Sequence, residues 1–169
     1  ISGEEITEVG AELDVRPEEV IDATGRFILP GLIDAHTHPD YLDDLENLSR
    51  AAAKGGITTL IHHSFARPGE SLVETVEEMK QSGTRESLLD FSLHGALSDP
   101  ENQAEEIPEV ENLGISSFKF LMAYSKDNVM TEDYQLMRSF DLVREVGGLA
   151  MVHAENGRAI DYLEDKFLE

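Results

Sequence analysis

The sequence predicts a parallel α/β fold made of the first five strand–helix units of a (β/α)8 TIM barrel. Apolar runs of strand length alternate with amphipathic, acidic segments, which is the pattern of parallel strands covered by helices. That pattern alone allows a doubly wound sheet or a barrel, but no glycine-rich phosphate loop follows any strand. The decisive observation is that histidines and one lysine fall in or at the ends of the strands, because the strand ends of a barrel converge on one site.

The five predicted strands are short apolar runs. They cover residues 28–36, 57–63, 88–95, 115–121 and 149–154. The first runs into the segment DAHTHPD, and the second ends in the pair His62 and His63. The third carries His94, the fourth has Lys119 between two phenylalanines, and the fifth contains His153. Each strand therefore brings at least one side chain that can bind a metal or carry a proton.

Four helices are predicted between and after these strands. They cover residues 42–55, 70–83, about 101–113 and 131–147. Gly55 and Gly83 are expected to end the first two, as glycines at helix C-termini commonly do. Thr131 is a suitable N-cap for the fourth helix, and Gly147 is expected to close it.

The two ends of the sequence differ from its middle. Residues 1–27 show short polar–apolar alternation without a helical stripe, which predicts strands of part of a small β-sandwich domain. Residues 28–169 are predicted to form the first part of the barrel. A whole barrel takes about 250 residues, and the last helical pattern stops without a cap. We therefore expect the sequence to be part of a longer chain.

The charge of the protein excludes several classes of partner. The sequence contains 35 Asp and Glu against 13 Lys and Arg, a formal net charge of −22. Such a surface repels phosphate, so neither nucleic acid nor an anionic membrane is expected as a partner. The excess of acidic residues is either an ordinary solvent-exposed surface with an unusually high charge or an adaptation to high salt. We favour the halophilic interpretation, since only five of the cations are lysine.

Two absences from the sequence narrow the location and the chemistry. No apolar run approaches the roughly 20 residues of a membrane-spanning helix, and the acidic start lacks the features of a signal peptide. A cytoplasmic location is expected. The sequence has no cysteine, so a metal would have to be held by histidine, carboxylate or a less usual donor.

His36 and His38 lie two residues apart at the end of the first strand. Residues i and i+2 of a strand project to the same side, so the two imidazoles point together. Each ring needs a partner for a donor and an acceptor, and a shared metal ion is one solution. A hydrogen-bonded pair of core histidines or a surface-facing pair would explain the spacing equally well.

Five motifs in order resemble one known family. PGLIDAHTH resembles the metal-binding opening of the amidohydrolase superfamily. GGITTLIHHSFARPGESLVETVEEMK is similar to the second unit of the dihydropyrimidinases and hydantoinases, LLDFSLHGAL to their third strand, FKFLMAY to the fourth and MVHAENG to the fifth. Because order and spacing both match along the chain, the sequence is identified as a member of that family of cyclic amidases.

The resemblance implies a centre of two divalent metal ions, expected to be zinc. His36, His38 and His153 correspond to ligands, and Lys119 corresponds to a lysine that carbon dioxide converts to an N6-carboxylated, bridging ligand. The position of Lys119 in an apolar strand agrees with such a modification. Burial of a lysine disfavours the ammonium form and lowers the pKa of the side-chain amine from about 10.4. Without the resemblance, Lys119 could equally be a snorkelling or salt-bridged side chain.

The resemblance also implies the reaction, which is hydrolysis of a small cyclic amide by a metal-activated hydroxide. Tyr124 corresponds to the tyrosine that hydrogen-bonds the substrate carbonyl oxygen, where it would stabilise the developing oxyanion. In the family a general-base aspartate and a further histidine lie on later strands, so this stretch by itself is not expected to turn over substrate. The family also suggests a homotetramer.

Other polar residues receive smaller roles. His63 is interpreted as a pocket-lining or outer-sphere residue and His94 as structural. The family usually carries an acidic residue where this chain has IHH, so the sequence departs from the pattern there. Asp34 and Glu155 are expected to orient neighbouring histidines through their ring nitrogens, and Asp40 could do the same.

Three functions stay open at this point. The first is a dihydropyrimidinase or hydantoinase that acts on a cyclic diamide. The second is an allantoinase or dihydroorotase, although HTHPDYLDD lacks the arginine-containing continuation usual there. The third is a non-catalytic scaffold with the same fold, which retention of the four ligands disfavours.

Overall fold

The computed structural model describes residues 1–39 and 43–168. The chain divides into two compact units, Ile1–Pro30 and Gly31–Glu169. All of the helices and extended strands belong to the second unit.

The second unit is built on one sheet of five parallel strands. The strands are β1 (Leu32–Thr37), β2 (Ile57–Ala66), β3 (Asp90–Leu97), β4 (Ser117–Leu121) and β5 (Leu149–His153). They are hydrogen-bonded in the order β1-β2-β3-β4-β5, whereas a doubly wound sheet reverses its order at a switch point. The curled half-barrel confirms the predicted fold class.

Helices connect and follow the strands. They are α1 (Leu45–Lys54), α2 (Leu72–Glu86), α3 (Pro100–Gln103), α4 (Ile107–Asn112), α5 (Asp133–Glu145) and α6 (Gly157–Leu168), with 3-10 turns at Ala104–Glu106 and Ser125–Asp127. Within residues 1–39 and 43–168, no helix combines the length and the apolar character needed to cross a bilayer.

The predicted helix over residues 101–113 is broken into two short helices. The 3-10 turn at Ala104–Glu106 separates α3 from α4. Pro100 and Pro108 each lie in the first turn of their helix, the position where a residue without an N–H group is tolerated. Pro108 would remove a hydrogen bond from the interior of a continuous helix, so the chain starts a new one.

The predicted N-cap of α5 is displaced by one residue. Glu132 precedes the helix, and its side chain makes no capping hydrogen bond. The backbone N–H of Thr131 instead donates to the carbonyl oxygen of Leu121, at 2.7 Å, which ties this segment to the end of β4. The Thr131 hydroxyl is buried and has no hydrogen-bond partner among the described residues, so it does not cap α5.

Gly83 does not end α2, which continues to Glu86. A Cβ atom at this position would lie 2.5 Å from the ring of Phe91 on β3. The glycine therefore serves close packing of α2 against the sheet. The sequence pattern alone does not distinguish that role from a helix C-terminus.

Strand alternation separates the apolar core from the polar face of the sheet. Phe118 and Phe120 of β4 are fully buried among residues of α2, α4 and α5, and Lys119 projects to the opposite face. The same rule places His62 and His63 of β2 on opposite faces. The core contains Leu72, Val76, Leu93, Leu97, Ile107, Val110, Phe118, Phe120, Leu136 and Val143.

The first unit contains no extended strand. Its β-structure in the described residues is one isolated antiparallel bridge between Ser2 and Glu5. The strands predicted over residues 1–27 are therefore not formed, because a strand needs a neighbour to satisfy its backbone and cover its apolar face. The assignment of this segment to part of a small β domain stays a prediction.

Gly157, the first residue of α6, packs closely against the segment that follows β4. A Cβ atom there would lie 2.7 Å from the Met122 carbonyl oxygen and 2.9 Å from the Ala123 Cα atom. We expect Gly157→Ala to lower the free energy of unfolding by about 1–3 kcal/mol, the usual effect of overpacking. Urea denaturation measures the change. Arg158→Ala is the control, since it removes surface ion pairs with Glu132 and Asp161 and should change stability by less than about 1 kcal/mol. Equal losses in the two variants would contradict the packing explanation.

Candidate metal centre

The C-terminal ends of the strands border a cavity of about 530 Å³. Its walls contain all five residues that the sequence assigned to the site, namely His36, His38, Lys119, Tyr124 and His153. The remaining lining residues are His63, Phe65, Leu121, Asp127 and Val129. Parallel strands explain the convergence, because their C-terminal ends meet at the same edge of the sheet.

His36 and His38 lie side by side at the end of β1. Their Nε2 atoms are 3.0 Å apart. Two neutral imidazoles can share one hydrogen bond at this distance, whereas a cation would accept both lone pairs. The Asp34 carboxylate accepts a hydrogen bond from the backbone N–H of His36, at 3.0 Å. Burial lowers the pKa of His62, and the charge of Asp34 opposes this shift. The role of Asp34 in orienting a histidine stays a prediction. Asp40 lies outside the described residues.

Lys119 is largely buried in the cavity wall, with 9% of its surface exposed. Burial lowers the pKa of its amine from the ordinary value, because desolvation penalises the ammonium form. No carboxylate within residues 1–39 and 43–168 forms an ion pair with it. The salt-bridged interpretation therefore has no support in that part of the chain, and burial makes the neutral amine easier to form than in an exposed lysine.

His153 lies between a carboxylate and a phenol. Its Nε2 atom is 3.0 Å from the Glu155 carboxylate and 3.3 Å from the Tyr124 hydroxyl. Glu155 thus contacts the same ring nitrogen that lies beside the Tyr124 hydroxyl, and its role in orienting His153 through the other nitrogen stays a prediction. These contacts place Tyr124 directly beside a predicted metal ligand.

The segment after β4 has unusual backbone geometry. Tyr124 has φ 67° and Asn128 has φ 58°, in the left-handed region that residues other than glycine rarely adopt. The two residues bound the 3-10 turn Ser125–Asp127, which brings Asp127 into the cavity wall. Such a conformation persists only where the surrounding structure holds it. Asp127 was not predicted from the sequence, because no motif or strand pattern marks this turn.

The other three histidines have distinct environments. Both ring nitrogens of His94 are bonded, to the Ser117 hydroxyl at 2.6 Å and to the Ala35 carbonyl oxygen at 3.0 Å, which fits a structural role. His62 is on the opposite face, with its Nδ1 atom 2.6 Å from the Thr37 hydroxyl. His63 lines the cavity, as expected. It also lies close enough to His36 and His38 for the three side chains to bind one metal ion.

The donors in the cavity fit a borderline divalent cation such as zinc. His36, His38 and His63 each offer a nitrogen, and the three nitrogens lie within 4.8 Å of one another. The Nε2 atom of His63 is buried and finds no hydrogen-bond partner in the described part of the chain, although buried polar atoms are nearly always satisfied. Imidazole nitrogens are standard zinc ligands. The residues present therefore fit a metal ion at this place.

Comparison with known proteins identifies the family, although no family model matches the sequence. The chain is 42% identical over 173 residues to a D-hydantoinase of Geobacillus stearothermophilus, and the alignment covers 97% of the chain. It is 35% identical over 150 residues to a dihydropyrimidinase of Rattus norvegicus, and that alignment covers 83% of the chain. The chain belongs to the hydantoinase and dihydropyrimidinase family.

The fold of a solved hydantoinase agrees with this assignment. A D-hydantoinase (dihydropyrimidinase) from Thermus sp. superimposes with a TM-score of 0.87 at 32% identity, covering 99% of this chain and 38% of that chain. The chain covers 36% of the Geobacillus hydantoinase and 29% of the rat dihydropyrimidinase, so it spans about a third of their length.

Proposed function

We propose that the protein is a metal-dependent hydrolase that opens an amide bond of a cyclic diamide, either a dihydropyrimidine or a hydantoin. The observation that carries the proposal is the convergence of His36, His38, Lys119, Tyr124 and His153 on one cavity. The relatives named D-hydantoinase and dihydropyrimidinase supply the substrate class. A cavity of about 530 Å³ is of the size that small-molecule sites usually have.

His36, His38, Lys119 and His153 would hold two divalent cations, which we propose are zinc because the protein donors are mainly imidazoles. Bound cations of this kind acidify water and polarise a carbonyl group. Lys119 would bind as a carbamate, formed when its neutral amine attacks carbon dioxide and loses a proton. The buried amine, its lowered pKa and its lack of a carboxylate partner in the described residues support this modification.

Tyr124 would donate a hydrogen bond to the substrate carbonyl oxygen as negative charge develops there. Its hydroxyl lies 3.3 Å from His153 Nε2, so the donor and a predicted ligand approach the same reacting group. Phe65, Leu121 and Val129 give the cavity an apolar wall. An apolar wall limits water and strengthens the electrostatic effect of each donor.

The alternatives are less well supported. Allantoinase and dihydroorotase activities have no specific observation in their favour. A non-catalytic scaffold would not require a buried lysine amine and several histidines around one cavity. A homotetramer, a cytoplasmic location, adaptation to high salt and a domain boundary after residue 27 stay predictions from the sequence and the resemblance.

The function is tested with the metal-loaded full-length protein and four substrates, namely dihydrouracil, hydantoin, allantoin and dihydroorotate. We expect hydrolysis of dihydrouracil or hydantoin, loss of activity with a chelator, and recovery on addition of zinc. Tyr124→Phe should lower kcat by about 100-fold or more with the metal content unchanged, since it removes one donor to the developing oxyanion. Tyr134→Phe is the matched control, because Tyr134 is 77% exposed on α5.

Two outcomes would contradict the proposal. One is a metal-loaded protein that hydrolyses neither dihydrouracil nor hydantoin. The other is equal activity of the Tyr124→Phe variant and the Tyr134→Phe control, which would remove Tyr124 from the reaction.

Carboxylation of Lys119 is tested with ¹³C-labelled bicarbonate and ¹³C NMR of the metal-loaded protein. We expect a carbamate resonance that is lost in Lys119→Met, because that variant has no amine. Lys54→Met, which changes a lysine in the last turn of α1, should keep the resonance. The same resonance in all three proteins, or no resonance in the parent, would show that Lys119 is not carboxylated.

A further inference from the structure

His63 of β2 lies against the two histidines of β1. Its ring centroid is 4.4 Å from that of His36 and 4.5 Å from that of His38. The three side chains offer nitrogen atoms that all lie within 4.8 Å of one another. This cluster, which we call the β1–β2 histidine triad, is therefore formed by two adjacent strands without any contribution from β4 or β5.

One ring nitrogen of His63 lacks a hydrogen-bond partner within residues 1–39 and 43–168. The residue is 1% exposed, its Nδ1 atom makes a long contact of 3.4 Å with the Thr37 carbonyl oxygen, and the unpartnered atom is Nε2. Metal-bound histidines usually donate one N–H to such an oxygen and direct the other nitrogen at the ion.

An unpartnered nitrogen alone does not identify a ligand, as His62 shows. The Nε2 atom of His62 is also buried and has no partner in the part of the chain that the structure describes. This ring lies on the other face of β2, with its centroid 6.2 Å from that of Phe91. His94 lies near His63, yet both of its ring nitrogens are already bonded. His63 differs from both because its open nitrogen is among other imidazoles.

The spacing of the triad is compatible with one tetrahedral ion. Zinc binds histidine nitrogens at about 2.0–2.1 Å, so two ligands of a tetrahedral site lie about 3.3 Å apart. His36 and His38 are near this value, with Nε2 atoms at 3.0 Å. The rings of His38 and His63 are nearly parallel, at 17°, so convergence on one ion requires rotation of a ring about its Cβ–Cγ bond. That torsion has a broad minimum.

We propose that His63 is a third imidazole ligand of the cation held by His36 and His38. The triad then retains one ion even when Lys119 is not carboxylated. This inference rests on the metal dependence proposed above and adds a ligand that the sequence analysis left as pocket lining. Three neutral imidazoles leave the full positive charge on the ion and one coordination position open, an arrangement suited to binding water or a carbonyl oxygen.

The test is a zinc titration of the metal-free, full-length protein against a competing chromophoric chelator. Loss of even an outer-sphere partner weakens metal binding by about 10–100-fold, so we expect His63→Leu to weaken binding of the first ion by at least about 100-fold. His62→Leu is the matched control on the opposite face, and it should leave this affinity within about threefold. Lys119→Met should lose the second ion and keep the first.

X-ray absorption at the zinc edge gives an independent readout. With one ion bound, we expect three imidazoles per zinc in the parent and two in His63→Leu. Two imidazoles in the parent, or a first-ion affinity in folded His63→Leu within threefold of the parent value, would overturn the inference. The parent spectrum decides the question even if His63→Leu does not fold.

The results separate this inference from the proposed function. A parent that binds zinc through three imidazoles but hydrolyses no cyclic amide supports the triad and contradicts the function. A parent that hydrolyses cyclic amides with two imidazoles on its first ion overturns the triad alone. A parent that binds no zinc overturns both.

Discussion

The alternation of side chains along the parallel strands is the constraint on which the rest of the structure depends. On β4 it buries Phe118 and Phe120 under the helices and turns Lys119 into the cavity. A shift of one residue would expose both phenylalanines and bury the amine in the apolar core. The burial of the two rings therefore fixes the side of the sheet on which the lysine lies. The metal centre depends indirectly on this packing.

The cavity differs sharply in charge from the protein as a whole. The chain has a formal net charge of −22, yet the described cavity wall contains one carboxylate, Asp127, beside four histidines and a lysine. Imidazoles and a neutral amine can bind divalent cations but do not balance their charge. A carbamate on Lys119 would supply negative charge at a position where the sequence provides no acidic side chain. The lowered pKa of Lys119 and its proposed modification thus have the same origin in burial.

The sequence predicted the parallel fold and the meeting of His36, His38, Lys119 and His153, because strand order and strand direction follow from the chain pattern. Tyr124 was assigned to the site through the family resemblance. His63 was interpreted as pocket-lining, but its contact with His36 and His38 was not predicted, since that contact depends on the register between adjacent strands. The close packing of Gly83 against Phe91 could not be predicted from the sequence either, because it is a contact between α2 and β3.

Local conformation was also beyond the sequence patterns. The left-handed backbone of Tyr124, and the turn that brings Asp127 into the cavity wall, depend on tertiary support and not on the propensity of these residues. The first unit also shows that a local pattern is not enough. Polar–apolar alternation over residues 1–27 does not form strands without a neighbouring strand.

Anomalous diffraction from crystals of the zinc-loaded, full-length protein tests the central claim most directly. The account predicts a zinc peak at about 2.0–2.1 Å from ring nitrogens of His36 and His38, in the cavity that also contains Lys119 and His153. Zinc bound only to surface carboxylates, with the β1 imidazoles making no metal contact, would contradict it.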